Sequence, residues 1–212
     1  MRPEVVVVVA GGESLPAALL HEIPEGAYVI AADGGLDQAR KLGLEVALVI
    51  GDLDSTIGSP AAGDDPETVR LPVDKDLTDL EAALTRAASL DPDRIVVLGG
   101  FGGRLGHLIA NANLIAAADL RPFGIEWVGA GGRVTVVTDV VELHGSPGDL
   151  VALVPVGGDC GGVSARGFRW ELDGATLEFG TTRGVSNEMT SPVAKVTVGH
   201  GCLLVIQEFS RR

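Results

Sequence analysis

The chain reads as an α/β protein, an N-terminal, mostly parallel, Rossmann-like three-layer domain followed by a C-terminal all-β sandwich. Three observations predict this. Short β-branched runs alternate with helical patterns through the first half, the grammar of β-α units with right-handed crossovers. Beyond Arg121 helical periodicity fades, and Val-, Thr- and Leu-rich runs separated by Gly, Pro and Asp take over, as in antiparallel sandwiches. Acidic residues gather just past the ends of the early strands, where an open α/β sheet binds its ligands.

The elements follow in order. Val5–Ala10 is a β-branched run suited to a strand buried on both faces, and Gly11 and Gly12 turn the chain. Ser14 and Pro16 mark a helix start, predicting a helix over Leu15–Glu22. Strands are expected at Tyr28–Ala32 and Val46–Ile50, with a short helix over Leu36–Leu42 closed by Gly43. The stretch Thr56–Asp65, rich in Gly, Pro and Asp, reads as a loop, and Thr68–Leu71 as a weak strand. Leu80, Ala83, Leu84 and Ala87 lie at helical spacing and predict a helix over Asp79–Leu90. Ile95–Leu98 is a strand that runs into the glycine loop Gly99–Gly103, and His107–Leu120 is a helix. In the second half, strands are expected at Arg133–Thr138, Leu150–Pro155, Thr176–Phe179, Val193–Val198 and Cys202–Gln207. These runs divide the chain into domains at residues 1–122 and 123–212.

Composition narrows the function classes. Hydrophobic residues make up 46% of the 212, enough for a substantial core. A formal net charge of −13 argues against a nucleic-acid partner, which selects a basic surface, and offers anionic lipid no attraction. The N-terminal apolar run is too short to cross a membrane and reads as a first buried strand rather than a signal peptide. Cys160 and Cys202 match no zinc or redox spacing and are expected as buried thiols. A cytoplasmic protein is expected.

The acidic strand ends carry the chemistry. They are Asp33 in AADGG, Asp52 and Asp54 in GDLDS, and Asp76 and Asp79 in DKDLTD. Two unit charges about 4 Å apart at an effective dielectric near 20 repel by roughly 4 kcal/mol, so converging carboxylates need raised pKa values or a cation. All-oxygen ligands on loops suit Mg²⁺, which brings substrate phosphates with it. Asp52 and Asp54, two apart in extended chain, point the same way and fit one cation, although carboxylates in such a turn also cap backbone N–H groups. Thr78 and Glu81 form a capping box, and Asp79 suits the first helical turn on electrostatic grounds alone. Asp76 precedes the cap and lacks such a structural reason. Lys75 is suited either to phosphate or to offsetting the acidic loop.

A second group surrounds GGFGGRLGH. Its glycines let backbone N–H groups approach a phosphate at a helix N-terminus, Arg104 adds a fork suited to phosphate, and His107 lies in the first helical turn. Asn111 follows one turn later on the same face. Neither the P-loop nor the dinucleotide glycine pattern is present. In the second domain, Gly184–Glu188 is a polar cluster between strands, and Trp170 is expected in the core ahead of a role in stacking on a flat ligand.

Taken together, AADGG, GDLDS, D-x-T-D, GGRLGH with its later Asn, and LEFGTTRGVSNE resemble the thiamine pyrophosphokinase family, in order and over nearly the whole chain. The resemblance implies ATP-dependent transfer of a diphosphoryl group to the hydroxyl of thiamine, giving thiamine diphosphate and AMP. It also implies Mg²⁺ and a homodimer with composite sites. By the same resemblance, Asp52, Asp54 and Asp76 hold the metal and orient the hydroxyl. Asp33, Gly34, Gly35, Thr78, Asp79, Arg104, His107 and Asn111 face the nucleotide and its phosphates. Asp76, Ser186 and Asn187 face thiamine, and Asp52, Asp54, Asp76 and Arg104 are the catalytic set. One position departs from the pattern: the family commonly has Asp before the His, and here Gly106 stands. That departure permits an alternative, a diphosphokinase for another hydroxymethyl acceptor such as a hydroxymethylpterin. A separate alternative is a non-catalytic sensor that binds thiamine or its diphosphate, against which the carboxylate cluster is more than a sensor needs.

Overall fold

A computed structural model describes residues 2–52 and 66–209. Asp54 and the whole Gly/Pro/Asp-rich stretch Thr56–Asp65 lie outside the described residues. The chain divides into two units, Met1–Leu114 with Ile125–Ala130, and Ile115–Gly124 with Gly131–Arg212. The expected cut after residue 122 falls inside this exchange of segments.

The first unit is built on a parallel sheet. In spatial order its strands are β6 (Glu126–Gly129), β5 (Arg94–Leu98), β1 (Val5–Ala10), β2 (Tyr28–Ala32), β3 (Leu48–Gly51) and β4 (Glu67–Arg70). Every described pairing among them is parallel. All six residues of β1 are buried, as a central strand covered on both faces requires. The edge strand β4 is exposed throughout, which explains its weak sequence signal. Helix α1 (Gly35–Lys41) packs on β1 and β2, with Leu36 in a small cluster with Ala31 and Val49. Helix α2 (Asp79–Ser89) turns the expected Leu80, Ala83, Leu84 and Ala87 toward β1, β2 and β3.

Three expectations need correction. The segment Ala17–Glu22 is a 3-10 helix rather than an α-helix, hemmed between Pro16 and Pro24. Helix α3 (Leu105–Leu114) starts two residues earlier than expected and stops six earlier; the buried Ile115 and Ala116 follow it in a turn that belongs to the second unit. Strand β6 went unread because four residues between glycine turns carry little period.

The second unit is a sandwich of two antiparallel sheets. One contains β12 (Asn187–Glu188), β9 (Leu150–Pro155), β14 (Leu203–Glu208) and β7 (Gly132–Val137) in that order. The other contains β11 (Leu172–Leu177), β10 (Cys160–Arg166), β13 (Val193–Thr197) and β8 (Val140–His144). Inward residues of both sheets form one core: Val137, Val151, Leu153, Leu203 and Val205 against Leu143, Val163, Ala165, Leu177, Ala194 and Val196. Cys160 lies in that core and Cys202 is buried beside it, as reduced thiols, and the Cys160 thiol donates to the Cys202 carbonyl. Strands β8, β10 and β12 were not expected, and β11 starts four residues before the expected Thr176–Phe179; Glu142, His144 and the small residues Gly161, Gly162, Ser164 and Ala165 dilute the apolar signal of β8 and β10.

Candidate functional site

The ends of β1, β2 and β5 open into a cavity of about 370 Å³ lined also by the starts of α2 and α3. Its wall contains Asp33, Gly34, Thr78, Asp79, Arg104, His107 and Asn111. Seven of the residues assigned to the nucleotide side by sequence are thus brought together. Gly35 is not on that wall. It is the first residue of α1, where an added Cβ would lie 1.9 Å from the Val9 carbonyl oxygen, so it lets the helix start against β1.

Two glycine turns form the floor. Gly99, Gly100, Gly102 and Gly103 all have positive φ, as does Gly12 in the turn after β1. The turns are bonded to each other: Gly100 N–H donates to Gly11 O at 2.9 Å, and Glu13 N–H to Phe101 O at 3.3 Å. A Cβ at Gly12 would come within 2.9 Å of Phe101 O. Phe101 stacks on Trp127 of β6, whose indole N–H donates to Gly99 O. The buried Asn111 amide donates to Gly100 O at 3.5 Å from below. Backbone N–H groups on such a preorganised floor suit phosphate oxygens.

On the α3 side, Arg104 Nε donates to His107 Nε2 at 3.1 Å, and its Nη2 also touches that atom. An Nε2 that accepts leaves the imidazole proton on Nδ1. The guanidinium and the ring therefore form one unit on the cavity wall.

On the β2 and α2 side, Asp33 adopts φ 42°, a left-handed turn that Asp tolerates, and its N–H donates to Ile50 O at 2.9 Å. Thr78 is the N-cap of α2, and its hydroxyl accepts from Glu81 N–H at 3.2 Å. Asp79 follows in the first turn. Lys75 Nζ lies 3.2 Å from Asp79 Oδ1 and 3.5 Å from Asp52 Oδ2. Desolvation pulls the Lys75 ammonium toward neutrality, but Asp79 and then Asp52 outweigh it and raise its pKa above the ordinary value. Asp52, expected as a metal ligand, is thus drawn into a cluster with Asp79. Asp76 is exposed on the turn before the cap and is not on the cavity wall. Asp54, the other expected ligand, lies outside the described residues.

The donor set fits Mg²⁺. Among the described residues no three Asp, Glu, His or Cys side chains converge as a complete cation cage. Mg²⁺ does not need one, because it is usually held by one or two carboxylates and completes its shell with water and substrate phosphates. Asp52 and Asp79 are all-oxygen donors already arranged around a positive charge.

The second unit holds a separate polar site. Gly184 lies so close to β9 that a Cβ would sit 2.2 Å from Leu153 O, which seats the Gly184–Glu188 segment on the sheet. Asn187 is buried and makes three hydrogen bonds. Its Oδ1 accepts from Trp170 N–H at 3.1 Å and Glu188 N–H at 2.9 Å, and its Nδ2 donates to Trp170 O at 2.8 Å. Ser186 beside it is exposed with φ 62°. Trp170 corrects the expectation of a core residue. It is 55% exposed because it falls in the bend between β10 and β11, where Phe168 takes the core position. The Arg169 guanidinium lies 4.9 Å from its ring centre.

Sequence reasoning missed the Trp127–Phe101 prop and Gln38. The buried Gln38 amide accepts from Leu15 N–H and donates to Glu13 O, fixing the turn after β1. A buried Gln on an otherwise regular amphipathic helix was the available signal.

Comparison with known proteins agrees with this geometry. Residues 20–124 match the family described as thiamin pyrophosphokinase, catalytic domain, and residues 138–203 match thiamin pyrophosphokinase, vitamin B1 binding domain. A thiamine pyrophosphokinase of Bacillus subtilis (strain 168) is 24% identical over 208 residues, covering 94% of this chain and 96% of the relative. The crystal structure of a Bacillus subtilis thiamine pyrophosphokinase superposes with TM-score 0.83 at 22% identity, covering 97% of this chain and 99% of that one. The Geobacillus thermodenitrificans thiamin pyrophosphokinase gives TM-score 0.81 at 26% identity, with 98% of each chain covered. Two domain models in the expected order, over a cavity built from the expected residues, place the chain in the thiamin pyrophosphokinase family, and it is a thiamine diphosphokinase.

Proposed function

We propose that this enzyme transfers the β,γ-diphosphoryl group of ATP to the hydroxyl of thiamine and releases AMP. The observation that carries this reading is the single cavity in which the two glycine turns, Thr78, Asp79, Arg104 and His107 meet at the strand ends. The glycine N–H groups and the Arg104–His107 unit hold the polyphosphate and neutralise its charge. Such transfer needs little covalent chemistry from the protein; positioning and electrostatics account for most of it. Asp52 and Asp54, with Asp76, would hold Mg²⁺, which when bound would supply Lewis-acid neutralisation of the phosphate oxygens. Asp76 accepts the proton of the attacking hydroxyl, and its exposure leaves it open to an incoming acceptor. Asp33 with Gly34 faces the nucleotide.

Thiamine is bound through the second unit. Exposed Trp170 offers a stacking face for a flat ring, Asn187 fixes the backbone beneath it, and exposed Ser186 offers a hydroxyl. The working form is a homodimer. Leu105 and Ile109, one turn apart on α3, are 69% and 56% exposed, an apolar stripe suited to an interface. Among the described residues no helix is long and apolar enough to cross a membrane, and the reaction belongs in the cytoplasm, where Mg-ATP is supplied.

The test is AMP release from Mg-ATP by purified protein with no acceptor, with thiamine, and with a hydroxymethylpterin. Thiamine-dependent release supports the proposal. Release that depends on the pterin instead, or thiamine binding without turnover, overturns it.

A further inference from the structure

Lys75 sits in a segment, Pro72–Thr78, whose other residues are exposed, yet its own side chain is only 13% accessible. Its ammonium donates to Pro72 O at 3.3 Å and makes ion pairs with Asp79 Oδ1 at 3.2 Å and Asp52 Oδ2 at 3.5 Å. All three partners belong to the protein, and both charges facing the ammonium are carboxylates of the strand-end cluster. The two carboxylates come from different elements, the end of β3 and the first turn of α2. Without a cation between them they would repel across that gap.

We propose that Lys75 is a positioning residue. Its tethered ammonium holds Asp52 and Asp79 together before any metal binds, and it acts on the reaction through them, not by touching the phosphates. The proposal rests on the diphosphokinase reading for its kinetic consequence, but its electrostatic consequence stands without turnover. A mobile Mg²⁺ can substitute for the missing charge in a variant that lacks the amine, whereas the parent already carries that charge.

The variants are Lys75→Met, Lys75→Arg and the double variant Lys75→Met/Asp79→Asn. Thermal unfolding is followed in EDTA and in Mg²⁺, with Na⁺ at matched ionic strength as the screening control. Lys75→Met is expected to melt lower than the parent in EDTA and to gain more from Mg²⁺. Lys75→Arg, which keeps the charge, is expected to melt near the parent. Removing the second carboxylate in the double variant is expected to restore the metal-free melting point, which separates charge repulsion from general misfolding. In turnover, Lys75→Met is expected to lose about 10²-fold in kcat, the scale of a misplaced catalytic group. Its KM for Mg-ATP is expected to stay within about threefold of the parent, because uniform binding is untouched. A metal-free melting point and Mg²⁺ response equal to the parent's overturn the proposal. A KM that rises while kcat holds makes Lys75 a phosphate contact and overturns it too. If the parent itself shows no thiamine-dependent AMP, the functional reading fails, and the melting experiment still decides the role of Lys75.

Discussion

The ring of Phe101 lies 4.1 Å from that of Trp127, centre to centre, at an interplanar angle of 27°. This stack ties the glycine turn after β5 to the buried strand β6. Gly129 makes room for it, since a Cβ there would lie 2.3 Å from the Phe101 ring. Phe101→Ala is expected to cost about 1–3 kcal/mol of stability through lost packing and stacking. Released glycines also lose their preorganisation, so KM for ATP is expected to rise more than KM for thiamine. Steady-state kinetics with each substrate varied, beside a denaturant melt, checks both.

Asp52, just past the end of β3, is the carboxylate proposed as a metal ligand. Asp52→Asn keeps the shape and removes the charge, so turnover should fall by at least about 10²-fold, the scale of losing one electrostatic partner of the transition state. Circular dichroism should show an unchanged fold. Turnover within about threefold of the parent would contradict the assignment.

Asn187 and Trp170 separate structure from binding. Asn187→Ala strands the backbone N–H and C=O of Trp170, and should cost about 1–3 kcal/mol. Trp170→Ala removes an exposed ring and should leave stability within about 0.5 kcal/mol. Both should weaken thiamine binding, readable by calorimetric titration, but only the first should lower the melting point.

Gly106 lies inside α3, where an added Cβ would meet nothing within 4 Å. Gly106→Ala should therefore stabilise, by less than the roughly 0.5–1 kcal/mol of a mid-helix glycine, because Gly106 is the second residue of α3. Gly106→Asp should add a favourable charge near the helix N-terminus. Activity of Gly106→Asp against the parent shows whether the missing carboxylate limits the rate.

The buried thiols set an alkaline limit. Desolvation is the largest cause raising the pKa of both Cys160 and Cys202 above the ordinary 9.0. Arg121 opposes it at Cys202, and the Cys202 carbonyl opposes it at Cys160. The neutral thiol is thus favoured in the folded state, so its contribution is intact below pH 9.0 and is lost as pH rises toward the folded value. The slope is at most about 1.4 kcal/mol per pH unit for each thiol. Denaturant melts between neutral and alkaline pH should show a shallower decline for Cys160→Ser and Cys202→Ser than for the parent.

Much of this was legible in the chain. Val5–Ala10, Tyr28–Ala32 and Leu150–Pro155 appear with the bounds their residues suggested, because buried β-branched runs between turns leave little choice. The capping box at Thr78 is a local rule obeyed locally. Tertiary demands hid the rest. Nothing in the run from Ile115 to Leu120 marks a helix stop at Leu114, yet there the chain passes to the second unit. Lys75 was readable as a charge but not as a bridge, since its partners at Asp52 and Asp79 depend on how β3 and α2 are set side by side. The exposure of Trp170 depends on a bend that its apolar character does not announce.

The most direct test of the central claim is ³¹P NMR of the products formed from Mg-ATP and thiamine. The account predicts thiamine diphosphate and AMP in one-to-one amounts, with no ADP. Thiamine monophosphate with ADP would mean attack at the γ-phosphorus and would contradict it.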